Sequence, residues 1–101
     1  MAAFLYEFEW NPVKAKANFS KHGVDFERAT QVFRDPLALT ISDEEHSVSE
    51  VRWITLGKDT AGQYLLVIHT FKQLSNELGR IRVISARRPT RAEVHAYEEQ
   101  Q

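Results

Sequence analysis

The sequence contains no cysteine, only four glycines and three prolines, and no long apolar run. Without cysteine, the chain can form neither disulfide bonds nor zinc sites built from thiolates. No stretch approaches the roughly 18 apolar residues that a membrane-spanning helix needs. The first residues also lack the charged and apolar regions of a secretory signal peptide, so we expect a cytoplasmic protein.

Well-known catalytic and nucleotide-binding motifs are missing too. The chain has no P-loop, no G-x-G-x-x-G fingerprint, no H-E-x-x-H helix and no G-x-S-x-G turn. His46 follows a short acidic run at residues 43–45, but the spacing matches no recognised set of metal ligands. We therefore expect no metal and no cofactor.

Charge is nearly balanced overall but unevenly distributed along the chain. The formal net charge is −1, and 101 residues of ordinary composition suit one domain spanning residues 1–101. Five of the eight arginines fall within residues 79–91, namely Arg80, Arg82, Arg87, Arg88 and Arg91. Acidic residues cluster on either side of this block, at 43–50 and at 93–99. The sequence therefore predicts one basic surface and separate acidic surfaces.

Hydrophobic periodicity and capping signals predict the element order β-α-α-β-β-β-β-α. Strands are predicted at 4–10, 37–42, 51–57, 64–71 and 80–86, with a hairpin turn at 58–62 and a longer connection at 73–78. Helices are predicted at 12–22, between 25 and 35, and from 90 to about 99. This order indicates an α+β fold: two N-terminal helices and a C-terminal helix packed on one face of a small antiparallel β-sheet.

The same patterns predict which residues cap the helices and which face the core. Asn11 should cap the first helix, with Val13 and Ala17 in its inward stripe. Thr90 and Glu93 have the spacing of a capping box at the last helix. The second helix should bury the apolar residues at helical spacing, Phe26, Ala29, Val32 and Phe33. The strand at 64–71 is almost continuously apolar, which predicts burial on both faces.

Arg80 and Arg82 are candidates for phosphate binding. Because side chains alternate along a strand, these two share one face, about 7 Å apart, while Ile81 and Val83 face the core. Guanidinium groups bind phosphate through paired hydrogen bonds and keep their charge. The alternative is that the arginines only pair with the acidic residues at 43–50. We favour an anion site, since clustered charges are associated with functional sites.

Other candidates have both a structural and a functional interpretation. His69 lies in an apolar strand, where a histidine is more often a core residue, but a position on the face of Arg82 would make it a proton shuttle. His22 can cap the end of the first helix. Three aromatic residues belong either to the core or to a surface that stacks RNA bases: Trp10, Trp53 and Phe71. We favour the core for Trp53.

Six segments in order carry a family resemblance. They are F-E-W-N-P-V-K-A-K-A-N at 8–18, K-H-G-V-D-F-E at 21–27, V-F-R-D-P-L-A-L at 32–39, H-S-V-S-E-V-R-W at 46–53, V-I-H-T at 67–70 and R-I-R-V-I-S-A-R-R-P-T-R at 80–91. Across nearly the whole chain, the sequence resembles the BrnT toxins of bacterial type II toxin–antitoxin systems. The resemblance implies a RelE-like fold and a metal-independent endoribonuclease that inhibits translation. It also implies a BrnA-like antitoxin of the ribbon-helix-helix type, through which alone the toxin would meet DNA.

In such enzymes the 2′-hydroxyl of the RNA attacks the adjacent phosphate. Among the matching positions, we assign Arg82 and Arg87 to stabilising the phosphate and His69 to general acid–base work. The expected RNA contacts are Lys21, His22, Arg52, Arg80 and Arg88. Two alternatives stay open: a non-catalytic module that binds RNA or protein on the same fold, and a histidine-centred hydrolase using His46 and Glu50.

Overall fold

The computed structural model describes residues 4–100, apart from the side chain of His46. Within these residues the strands are β1 (Leu5–Glu9), β2 (Leu39–Ser42), β3 (Trp53–Lys58), β4 (Tyr64–His69), β5 (Lys72–Gln73) and β6 (Leu78–Arg87). The helices are α1 (Pro12–His22), α2 (Phe26–Thr30) and α3 (Arg91–Glu99), with 3₁₀ turns at Gln31–Arg34 and Glu44–His46. The predicted order is confirmed, with the short strand β5 added. None of these helices is long and apolar enough to cross a membrane.

Local signals set the helix ends as predicted. The Asn11 side chain accepts hydrogen bonds from the first backbone N–H groups of α1, and Gly23 ends that helix with a φ of 69°. At α3, the side chains of Thr90 and Glu93 each accept a hydrogen bond from the backbone N–H of the other residue. Both helices therefore begin where the sequence places their caps.

The sheet is mixed, so the prediction of an antiparallel sheet is wrong for its first strand. The strand order is β1-β6-β4-β3-β2, with β5 also paired to β6. β1 runs parallel to β6, whereas the other pairs are antiparallel. Parallel pairing brings Glu7 beside Arg80 and Glu9 beside Arg82, and pairs of opposite charge favour this register. The connection predicted at 73–78 is a hairpin between β5 and β6, closed by a hydrogen bond from Leu74 N to Leu78 O.

The two faces of the sheet carry separate cores. On the α1–α2 face, α2 and the following turn bury Phe26, Ala29 and Val32 against β4 and β6. On the opposite face, here called the α3 face, Tyr97 packs against Leu56 and Leu66. The expectation that all helices share one face is therefore wrong for α3. Helices on both sides explain why β4 is buried on both faces, as predicted.

The inward face of α1 also differs from the prediction. Val13 is 77% exposed and Ala17 is exposed too, whereas Asn18 is buried. The amide of Asn18 makes hydrogen bonds with the backbone of Val24 and Ala86. An unpaired buried polar group is costly. Burying Asn18, which gives these backbone groups hydrogen-bond partners, therefore stabilises the fold more than burying the apolar residues of α1 would.

A β-bulge shifts the alternation of side chains in β6. The register between β4 and β6 skips Ile84. Val83 and Ala86, three positions apart, are therefore both buried in the core of the α1–α2 face. By the same shift, Arg82 and Arg87, five positions apart, lie together on the α3 face, which simple alternation would not allow.

Candidate active site

Beyond the area that α3 covers, the α3 face holds a cavity of about 420 Å³. We call it the arginine groove and define it by six of its lining residues, Glu9, Glu50, Thr70, Lys72, Arg80 and Arg82. Arg80 and Arg82 stand on this face because Ile81 and Val83, which alternate with them, are buried in the core. Lys72 joins them through the register of β5 with β6. The groove thus gathers three cations and two carboxylates around an open space.

The arginines of the groove have carboxylate partners. Arg82 Nη2 donates a hydrogen bond to Glu50 Oε1, and Arg80 Nε donates to Glu7 Oε1 at 2.5 Å. The side chains of Arg82 and Glu50 are 41% and 35% exposed. An ion pair this open contributes only about 0–1 kcal/mol to stability. An entering phosphate can therefore replace the carboxylate at small cost.

Arg52 lies next to the same carboxylate. Its Nη2 is 3.8 Å from Glu50 Oε1. Its Nε is buried and has no hydrogen-bond partner within the described part of the chain. The Arg52 side chain as a whole is 29% exposed, so a phosphate could contact its accessible guanidinium nitrogens but not the buried Nε.

Arg87 faces the same side as Arg82 but lies farther along β6. Five residues of strand separate the two, which corresponds to about 16 Å. Arg87 Nη1 and Nη2 donate to the two carboxylate oxygens of Glu93 at 2.9 and 3.0 Å. These hydrogen bonds are the main reason why the pKa of Glu93 falls to about 2. The structure does not bring Arg82 and Arg87 to one phosphate, although both were expected to stabilise it.

Three of the expected RNA contacts, Lys21, His22 and Arg88, lie near the end of β6, away from the groove. Lys21 and His22 form the last turn of α1, which Asn18 attaches to Ala86. Lys21 and Arg88 are exposed, and His22 is half-buried. Arg87 stands on the α3 face, whereas Lys21 and His22 belong to α1, which packs on the opposite face.

His69 lies on the face opposite Arg82. It pairs with Val83 in the register between β4 and β6 and is only 3% exposed. Thr55 Oγ1 is 2.7 Å from His69 Nε2, and the carbonyl oxygen of Thr70 is 3.0 Å from Nδ1. Burial lowers the pKa of His69. The structure therefore does not bring this histidine to the groove, and its role as an acid or base stays a prediction.

The sequence assigned no role to Lys72, and it assigned one to Glu50 only in the alternatives, as a partner of His46 or as an acidic residue that pairs with the arginines. Lys72 follows from the pairing of β5 with Arg80, and β5 is too short to show a periodic pattern. Glu50 matches a family motif, but only the fold shows that it reaches Arg82. Within the described residues, no three His, Asp or Glu side chains converge as ligands of one metal ion. The side chain of His46, the centre of the alternative hydrolase, lies outside the described residues.

Comparison with known proteins shows which family the chain belongs to. The 1.1 Å crystal structure of the Brucella abortus ribonuclease toxin BrnT has a similar fold, with a TM-score of 0.60 over 86% of this chain and 100% of that one, at 22% sequence identity. No curated protein sequence matches the chain. The family model described as "Ribonuclease toxin, BrnT, of type II toxin-antitoxin system" matches residues 10–93. The chain therefore belongs to the BrnT family, the ribonuclease toxins of type II toxin–antitoxin systems.

Proposed function

We propose that this toxin cuts RNA internally at the arginine groove and needs no metal ion to do so. The ion pair between Arg82 and Glu50 carries the proposal, because it places a fixed cation and a proton acceptor side by side in an open groove. Arginines can stabilise the charge that develops on a phosphate during attack. A nearby carboxylate can accept the proton of the attacking hydroxyl.

In the proposed reaction, the substrate phosphate replaces the Glu50 carboxylate at Arg82, and this replacement comes first. The phosphate enters the groove and accepts hydrogen bonds from the guanidinium groups of Arg82 and Arg80. The carboxylate of Glu50 is thereby released from Arg82. Glu50 then accepts the proton of the 2′-hydroxyl, the 2′-oxygen bonds to phosphorus, and the 5′-oxygen leaves and takes a proton from the solvent. Because the groove holds its cations before the substrate arrives, little reorganisation is required.

The remaining basic residues have supporting roles in this proposal. Arg52, beside Glu50, would contact the phosphate that is cut or the one next to it. Lys21, His22, Arg87 and Arg88 would hold RNA farther along the strand. The position of His69 on the opposite face favours Glu50 over His69 as the proton acceptor.

The partner in the proposal is an antitoxin of the BrnA-like, ribbon-helix-helix type. As a toxin of a type II system, the chain has a protein antitoxin. We infer that this antitoxin prevents RNA from reaching the groove and binds operator DNA itself, so that the toxin meets DNA only through it. Free toxin would then cut RNA in the cytoplasm and inhibit translation.

The test compares three purified variants on single-stranded RNA in a chelating buffer. Arg82→Ala and Glu50→Gln should each slow cleavage about a hundredfold or more, since each removes a group that acts in the transition state. Arg34→Ala is the matched control, because Arg34 is an exposed arginine that lines a different cavity. Its rate should equal that of the wild type.

Three outcomes would contradict the proposal. Activity that disappears in the chelator would show that a metal ion takes part. Full activity of Arg82→Ala would place the chemistry elsewhere. A wild-type chain that binds RNA through Arg82 without cutting it would favour the binding-module alternative.

A further inference from the structure

A second cavity, of about 250 Å³, opens on the α1–α2 face of the sheet, on the other side from the arginine groove. Its walls are aromatic: Tyr6, Phe33, Trp53 and Phe71. Tyr6 and Phe71 are 42% and 41% exposed, so their rings meet the solvent at the mouth. We call this cavity the aromatic pocket. Exposed rings on a sheet are the surfaces on which proteins stack unpaired bases.

The polar side chains that line the aromatic pocket have a defined direction of hydrogen bonding. A carbonyl can only accept, so the contact between His69 Nδ1 and Thr70 O places the ring proton on Nδ1. His69 Nε2 must then accept from the hydroxyl of Thr55. Thr55 Oγ1 in turn accepts from the hydroxyl of Thr40, 2.8 Å away. The chain of donors thus leaves an oxygen lone pair of Thr40 as an acceptor in the pocket.

This acceptor selects the chemistry of a ligand. Flat rings favour a planar aromatic molecule, and a neutral hydrogen-bond acceptor favours one with an N–H group on its edge. The lining residues of the aromatic pocket include no Lys, Arg, Asp or Glu. A nucleobase meets these conditions, whereas a phosphate does not.

Phe71 connects the aromatic pocket with the arginine groove, because this residue lines both cavities. β5, which begins at the next residue, pairs with β6 alone among the described strands, so its outer side is an open edge of the sheet. The backbone bond from Thr70 N to Arg82 O, at 3.0 Å, fixes this edge next to the groove. A strand of RNA in the groove can therefore pass a base around the edge at Phe71.

We infer that the aromatic pocket holds one unpaired base of the substrate RNA, stacked on Phe71 and Tyr6 and donating an N–H group to Thr40 Oγ1. The inference rests on the proposed function, since it takes the RNA backbone to lie in the arginine groove. According to this inference, the toxin prefers a particular base next to the cut. The arginine groove cannot supply that preference, because its charged groups contact phosphate and phosphate is the same at every nucleotide.

The test measures binding of short single-stranded 2′-O-methyl RNA, which lacks the attacking hydroxyl and so is not cut by the proposed reaction. Phe71→Ala should weaken binding about tenfold, as expected for the loss of one stacked base. Phe19→Ala is the matched control, because Phe19 is an exposed aromatic residue on α1 and lines neither cavity. Thr40→Val, which keeps the shape but removes the acceptor, should reduce the discrimination between bases. Thermal unfolding of each variant checks that it is folded.

An abasic nucleotide, moved one position at a time along the RNA, makes the test specific. At one position of the RNA, the abasic nucleotide should lower the affinity of the wild type about tenfold. At the same position it should not lower the affinity of Phe71→Ala any further. Equal binding by the wild type, Phe71→Ala and Phe19→Ala would overturn the inference and leave the pocket to another occupant, such as the antitoxin. If Arg82→Ala does not slow cleavage, the proposed function itself fails. If Arg82→Ala slows cleavage but Phe71→Ala does not weaken RNA binding, only the inference about the aromatic pocket fails.

Discussion

The side chain of Asn18 and the backbone of Ala86 form a closed pair of hydrogen bonds across 68 positions of sequence. Asn18 Nδ2 donates to Ala86 O at 2.9 Å, and Ala86 N donates to Asn18 Oδ1 at 3.2 Å. The amide also donates to Val24 O at 3.0 Å. One side chain thus joins α1, the start of the next segment and the end of β6.

Replacement of Asn18 should be among the most damaging single changes to the fold. Asn18→Ala leaves buried backbone groups without partners, and we expect the free energy of unfolding to fall by roughly 2–4 kcal/mol. Urea unfolding measures this change. Ser20→Ala, an exposed position of the same helix, should change stability by about 0.5 kcal/mol or less. Similar values for the two variants would show that the pair with Ala86 contributes little.

The contrast between Asn18 and the ends of α1 shows how much of the fold the sequence could predict. Asn11 and Gly23 act on backbone groups a few residues away, so local patterns reveal them. The value of Asn18 depends on Ala86, which no local pattern connects with it. The same reason explains why the parallel pairing of β1 with β6 escaped prediction.

The pair between Arg87 and Glu93 predicts a dependence of stability on pH. The pKa of Glu93 is lowered from its ordinary 4.5 to about 2, chiefly by the hydrogen bonds from Arg87. The carboxylate therefore contributes stability above pH 4.5, and this contribution is lost as the pH falls from 4.5 towards 2. Glu93→Gln keeps a side chain suited to the capping box but not the charge. The variant should show a weaker loss of stability across that pH range in thermal unfolding, and an unchanged slope would contradict the prediction.

His69 predicts a second dependence on pH, at higher values. Burial lowers its pKa from the ordinary 6.5, so the unfolded chain binds a proton more readily than the folded one. Stability should therefore be fully present above pH 6.5 and decline as the pH falls below it. His69→Gln should remove this decline, which unfolding in urea at several pH values would detect.

The same variant tests the acid–base role predicted for His69. If Glu50 is the proton acceptor, His69→Gln should retain cleavage within about tenfold of the wild type under conditions where it is folded. A decrease in the cleavage rate of about a hundredfold or more is the range for a missing general acid or base. Such a decrease would show that His69 takes part in proton transfer.

Gly79 allows two aromatic rings to lie over the backbone of β6. A Cβ atom added at this position would come within 2.5 Å of Phe71 Cε1 and 3.0 Å of Phe4 Cε2. Gly79→Ala should therefore displace these rings and destabilise the fold by about 1–3 kcal/mol. Combination with Phe71→Leu should recover part of that loss in urea unfolding. If the two substitutions lower the free energy of unfolding additively, the rings can move aside without any shortening of the side chain at position 71.

The site was only partly predictable from the sequence, for reasons that lie in β6. Alternation places Arg80 and Arg82 on one face, as the structure shows, because that stretch of strand is regular. The bulge at Ile84 carries no glycine or proline to signal it, yet it decides the face on which Arg87 stands. Likewise, nothing local to Glu50 indicates that its partner is Arg82.

The parallel pairing of β1 with β6 also has a consequence for synthesis. β1 spans Leu5–Glu9, but its partner β6 begins only at Leu78 and is therefore synthesised much later. The arginine groove takes Glu9 from the first strand and Arg80 and Arg82 from the last one. A nascent chain therefore cannot assemble the groove until β6 has left the ribosome, and polypeptides released before that point lack it.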